Sequence, residues 1–162
     1  MPLHGDRRLF EKLCLEGFQA GLSWITILRR REGFRAAFAG FAAAELADWG
    51  EAEIAERMAD TRIIRNRAKI EATIGNARAL LTLQRERGDD ALDGLVWSFT
   101  PAIGGRRRTL AELPAITPES TALSAALRRL GFRFVGPTTM YALMQSAGLV
   151  DDHVEGCHRV AG

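Results

Sequence analysis

Only one stretch of this 162-residue chain has the character of a β-strand, Phe132-Arg133-Phe134-Val135, and Gly131 and Gly136 close it off at both ends. Four residues cannot found a sheet, because a lone short strand leaves its backbone N–H and C=O groups without ladder partners. The rest must be helix, and the alphabet agrees: Ala, Leu, Arg and Glu, all good helix formers, recur throughout. The expected fold class is all-α. Residues 1–162 have the length of one ordinary domain. A hydrophobic fraction of 47% is enough to fill its core.

Leu9, Phe10, Leu13, Cys14 and Gly17 fall at helical spacing and predict a first helix over residues 6–18. A second is expected over 23–31, with Ser23 as its N-cap. Short helices are expected at 34–39, 43–48 and 51–59. A long one follows over 64–86, where Ile70, Ile74, Ala77, Leu80 and Leu81 form one stripe and Gly88-Asp89-Asp90 ends it. Residues 100–118 hold Pro101, Pro114, Pro118, two adjacent glycines and Arg106-Arg107-Arg108, and read as a long irregular loop. A further helix is expected over 119–130.

The sequence has no run of about 18 apolar residues, so no membrane span is expected. Its first residues, Met1-Pro2-Leu3-His4-Gly5-Asp6, lack the basic and apolar segments of a signal peptide. Two cysteines, Cys14 and Cys157, make no disulfide scaffold, and the expected location is the reducing cytoplasm. The net charge of +2 does not by itself call for nucleic acid. Lys12 and Lys69 are the sole lysines, so nearly all positive charge is arginine. Its planar fork suits phosphate, although a GC-rich genome is the simpler explanation of the bias. Arg29-Arg30-Arg31, Arg106-Arg107-Arg108 and Arg128-Arg129 with Arg133 are local clusters, each either a solvated face or a phosphate contact.

Three motifs carry chemistry. In Leu127–Met140 a helix ends at Gly131, the chain turns through Phe132–Val135, and Pro137 opens the next helix behind Gly136. The open N-terminus of that second helix can hold a DNA phosphate on backbone N–H groups. On spacing alone an ordinary αα-hairpin is the simpler reading, and Phe132, Phe134 and Val135 are expected as core pins in either case. In Leu15–Trp24, Glu16 ends a largely apolar helix and Trp24 follows across a tight turn. A base-flipping enzyme needs both types, an aromatic face for the extruded base and a polar group for its edge. A core tryptophan beside a capping glutamate explains the same residues. His153 and Cys157 would share one face of a helix, as zinc ligands do, but a closed zinc site needs four donors.

Together these segments resemble the 3-methyladenine DNA glycosylase I family. The likeness is carried by LFEKLCLEGFQAGLSWITILRR (Leu9–Arg30), Gly33–Phe41, IIRNRAKIEATIGNAR (Ile63–Arg78), LVWSF (Leu95–Phe99) and LGFRFVGPTTMYALMQSAGLVDDHVEGC (Leu130–Cys157). It spans nearly the whole chain and outweighs the simpler readings of the first two motifs. It implies a helix-hairpin-helix DNA glycosylase fold. It also implies base-excision repair, with hydrolysis of the N-glycosidic bond of 3-methyladenine flipped out of alkylated double-stranded DNA. The enzyme would act as a monomer without a membrane.

By the same resemblance Glu16 is the catalytic acidic residue that contacts the methylated base, and Trp24 stacks on it. Gln19, Gly21 and Leu22 belong to the turn that enters the duplex, while Arg133, Gly136 and Thr138 sit at the backbone-gripping hairpin. His153 and Cys157 match half of the family's structural zinc site. The other half, one Cys and one His, lies in family members ahead of the position of Met1, with further pocket aromatics. Zinc is therefore expected to be absent or weakly held by the chain as given. Asp151 and Asp152 lie where other helix-hairpin-helix glycosylases carry a catalytic Asp. This branch is not known for relying on one, and both are read as first-turn caps. Two alternatives remain: a non-catalytic helix-hairpin-helix DNA-binding protein derived from the family, and a purely structural helical protein.

Overall fold

The computed structural model describes residues 2–19, 23–100 and 116–149, including the backbone but not the side chain of Trp24. Among these residues the chain is helical and holds no strand. The N-terminal half comprises α1 (Asp6–Gln19), α2 (Trp24–Arg29), α3 (Arg31–Ala37), a 3-10 turn (Ala39–Phe41), α4 (Ala43–Leu46) and α5 (Glu51–Met58). The rest comprises α6 (Arg67–Arg87), α7 (Ala91–Trp97), α8 (Pro118–Arg129) and α9 (Pro137–Ala147). No described helix is long and apolar enough to cross a membrane.

The helix ends follow local chemistry. Ser23 caps α2 by accepting from Thr26 N, and Asn66 caps α6 by accepting from Lys69 N. Gly88, at φ 97°, stops α6. Thr117 and Ser120 form a reciprocal capping box on α8 with Pro118 in its first turn. α7 was not foreseen, because its own N-cap, Asp90, makes no side-chain cap. The cap comes instead from Asp6, whose carboxylate accepts from Asp93 N at 2.7 Å, Leu92 N at 3.3 Å and Gln84 Nε2 at 2.9 Å. A short helix completed by a residue more than eighty positions away leaves no local signal.

α6 runs through the middle of the molecule. Besides the expected Ile70, Ile74, Ala77 and Leu80 it buries Ala72, Thr73, Asn76, Ala79 and Leu83, while Leu81 is only half-buried. It packs against α1, α4, α5 and α7, so the single expected stripe is in fact several faces. On the other side Phe10, Phe18, Phe34, Phe38 and Phe41 are fully buried. They stack from α1 through α3 to the 3-10 turn, with Phe18 and Phe34 ring centroids 4.8 Å apart. Trp49 extends the stack and lies under the guanidinium of Arg57, 3.9 Å from its ring centroid. α1 thus has one face in the aromatic core and another against α9.

Candidate functional site

Glu16 sits in the last turn of α1, whose apolar faces hold it in place, and it is 4% exposed. Ser146, in the last turn of α9, lies with its Oγ 3.3 Å from Glu16 Oε1. Burial pushes the Glu16 carboxyl above its ordinary value of 4.5, while the Lys12 ammonium and the Ser146 hydroxyl pull the other way. Lys12 stands one helical turn before Glu16, and burial holds its ammonium below the usual lysine range. A carboxylate in this setting carries a desolvation cost that an incoming cation would offset. Gln19 closes α1 and is half-buried. Trp24 opens α2. Gly21 and Leu22 lie outside the described residues, so the turn that joins them is not part of this geometry.

The second half of the site is the junction of α8 and α9. Leu130 ends α8 and Gly131 follows at φ 95°. Gly131 N donates to Arg128 O at 3.0 Å and Phe132 N to Leu127 O at 3.0 Å, so the αL glycine satisfies two helix-end carbonyls. Phe132 and Val135 are buried as expected. Phe134 corrects the expectation: it takes φ 58°, is 39% exposed, and belongs to the surface. Its Cβ lies 3.4 Å from where a Cβ on Gly17 would stand, so the hairpin rests directly on α1. With Lys69, Asn76, Cys14 and Phe18 it lines a cleft of about 10 Å³, room for one water.

Gly136 precedes α9 with no side-chain cap, and Pro137 occupies the first turn. Thr138 is exposed in that turn. Arg128, Arg129 and Arg133 are exposed, and Arg128 Nη2 lies 3.5 Å from the Cβ position of Gly136. A helix N-terminus with no side-chain cap and an arginine beside it is suited to a phosphate. The first arginine cluster is mostly structural: Arg30 Nη1 donates to Thr61 O at 3.0 Å and Arg31 lies 3.7 Å from Glu11. Arg106, Arg107 and Arg108 lie outside the described residues.

A model of the methyladenine glycosylase family matches residues 1–160. The chain belongs to the methyladenine glycosylase family. DNA-3-methyladenine glycosylase 1 of Escherichia coli (strain K12) is 47% identical over 160 residues, covering 97% of this chain and 84% of that protein. DNA-3-methyladenine glycosylase of Haemophilus influenzae is 44% identical over 158 residues, covering 96% and 84%. Among solved structures, a crystal structure of 3-methyladenine DNA glycosylase I superposes with a TM-score of 0.92 at 43% identity, covering 98% of this chain and 87% of that one. A structure of the Staphylococcus aureus enzyme, described as showing the basis of 3-methyladenine recognition, matches with a TM-score of 0.90 at 30% identity, covering 98% and 84%. The chain therefore has the helix-hairpin-helix type of helical fold.

Three residues of the site escaped the sequence reading. Lys12 and Glu16 stand at i and i+4, a visible pair. Ser146 meets Glu16 only through the packing of α9 on α1. Asn76 is a buried polar residue inside an apolar helix, and that inconsistency was its signal. The metal residues His153 and Cys157, with Asp151 and Asp152, lie outside the described residues. Among the described residues no three potential metal donors gather. His4 Nδ1 lies 2.9 Å from Asp93 Oδ1 and its ring stacks on Trp97 at 4.5 Å. Burial drives the Cys14 thiol far up from its ordinary range. Neither fits a zinc ligand as it stands.

Proposed function

We propose that this chain excises 3-methyladenine from alkylated double-stranded DNA by hydrolysing its N-glycosidic bond, with Glu16 reading the flipped base. The observation that carries the site assignment is the burial of Glu16. A carboxylate that burial disfavours gains more from a cation than from a neutral group. Methylation at N3 makes the base cationic and weakens its bond to the sugar, so this enzyme needs selection more than power. Trp24 would stack on that cation, at about 0.5–2 kcal/mol beyond a neutral base. Glu16 accepts a charge-assisted hydrogen bond from the adenine edge. Normal adenine lacks the charge and bears the whole cost of unstacking. As the bond breaks the sugar becomes oxocarbenium-like, and a nearby carboxylate stabilises it.

Gln19, Gly21 and Leu22 would fill the space left by the base. Arg133, Gly136 and Thr138 hold the backbone, so that affinity is independent of sequence while chemistry is specific for the lesion. A single chain in the cytoplasm suffices for this work. His153 and Cys157 would supply half of a structural zinc shell. The test is release of free 3-methyladenine from methylated duplex by the purified chain. Release by the parent and its loss in Glu16→Gln support the reading. Duplex binding without release by the parent would leave the non-catalytic DNA-binding alternative standing.

A further inference from the structure

Glu16, on α1, meets α9 at the end opposite to the one proposed to grip phosphate. α9 begins at Pro137, near Arg128, and ends at Ala147, about 15 Å away at 1.5 Å per residue. The far end is firmly set. Gly148 takes the αL conformation at φ 91°, Leu149 N donates to Met144 O at 2.8 Å, and Leu3 N donates to Ala147 O at 2.8 Å. Ser146 is thus presented to Glu16 by a rigid turn. Its hydroxyl has two acceptors in reach, Glu16 Oε1 at 3.3 Å and the Leu143 carbonyl at 3.2 Å. A hydroxyl has one proton to give, so these compete. The charged acceptor wins when Glu16 is ionised, because a hydrogen bond to a carboxylate is the stronger.

We propose that Ser146 is the positioning residue of the base-reading carboxylate: it holds Glu16 Oε1 from α9 and so assigns Oε2 to the flipped base. The inference rests on the role of Glu16 given above. It makes α9 a single rigid link between the backbone grip and the base pocket. Among the described residues, two groups act on the Glu16 carboxyl. Lys12 approaches from its own helix and Ser146 from α9. Ser146 and Lys12 favour the ionised form that a cationic base requires, against burial. A merely structural Ser146 would bond back to Leu143, as serines in helices often do, and Glu16 would not register its loss.

The experiment compares the parent with Ser146→Ala and Ser146→Thr, each first checked for parental thermal unfolding; Ser146 is exposed, so folding should be unaffected. The titration of the Glu16 carboxyl is followed by carbon NMR, and binding of free 3-methyladenine is measured across pH. In Ser146→Ala the Glu16 midpoint should move to higher pH, and affinity for the base near neutrality should fall about five-fold, the worth of one ordinary hydrogen bond. Ser146→Thr should restore both, and undamaged duplex should bind all three alike. An unmoved midpoint in Ser146→Ala overturns the proposal. So does a moved midpoint with parental affinity for the base. Glu16→Gln, run alongside, separates the failures: if it binds the base as the parent does, the pocket assignment itself is wrong, whereas the NMR titration judges Ser146 without any base present.

Discussion

Asn76, buried in the middle of α6, holds the peptide groups of Arg133 from both sides: its Oδ1 accepts from Arg133 N at 2.8 Å and its Nδ2 donates to Arg133 O at 3.1 Å. This clamp fixes the hairpin immediately before Phe134, which adopts the left-handed backbone that costs a non-glycine residue about 1–2 kcal/mol. The strained turn and Arg133 before it are therefore held by a single side chain of the central helix.

Asn76→Ala should loosen the hairpin without touching the base pocket. The loss of two hydrogen bonds to backbone predicts about 1–3 kcal/mol of stability. Faster amide exchange over 131–136 and weaker binding of undamaged duplex should accompany it, while free 3-methyladenine binds as before. Parental exchange rates in the hairpin would show that the clamp is dispensable.

Gly33, in α3, faces Arg62 so closely that an added Cβ would lie 2.8 Å from both Arg62 Cβ and Arg62 O. One of these is backbone and cannot swing away. Gly33→Ala should therefore lose about 1–3 kcal/mol by overpacking, despite the better helix propensity of alanine. A Tm lowered by several degrees is the expected readout; an unchanged or raised Tm would mean that the 62 region yields freely.

Glu16→Gln should trade function for stability. The native carboxyl titrates above its ordinary 4.5, so the stability associated with its protonated form is complete below 4.5 and is lost as pH rises through the native value. Glutamine mimics the protonated form at every pH. The variant should therefore melt higher than the parent at pH 7, with the gap closing as both are taken toward pH 4. Excision should fall about 10- to 150-fold, the worth of a hydrogen bond to a charged group. In the parent, binding of the cationic base should weaken on acidification through the same native pKa. A lower Tm at pH 7 for the variant would contradict the sign.

Trp24→Ala should remove about 1–3 kcal/mol of stacking on the flipped base. Excision should drop while affinity for undamaged duplex stays near the parental value. Thermal unfolding comes first, because truncating a core aromatic would cost about 3–5 kcal/mol. A folded variant that excises at the parental rate would take Trp24 out of the pocket.

Arg128, Arg129 and Arg133 should each act on the backbone alone. Replacing one true phosphate contact by alanine should weaken binding on every sequence and flatten the dependence of log K on log salt by about one unit. Three single variants with the parental slope would place the DNA elsewhere.

Much of this protein was legible in residue order alone. Periodicity placed α1 and α6 within a few residues, and Ser23 and Gly88 marked the start of α2 and the end of α6, because each satisfies a helix end from three or four positions away. Gly131 and Pro137 announced the hairpin for the same local reason, and Glu16 and Trp24 stood out by residue type and resemblance. Tertiary structure decided what depends on neighbours distant in the chain. Asp6 completes α7, Asn76 clamps Arg133, and Ser146 reaches Glu16 across 130 positions. Phe134 shows the limit most plainly. Its aromatic ring argued for the core, but the clamp on Arg133 and the contact with α1 at Gly17 turn its backbone left-handed and its side chain outward. Local hydrogen bonds write their pattern into adjacent residues. Packing selects among the conformations those patterns leave open, and its partners have no fixed spacing to read.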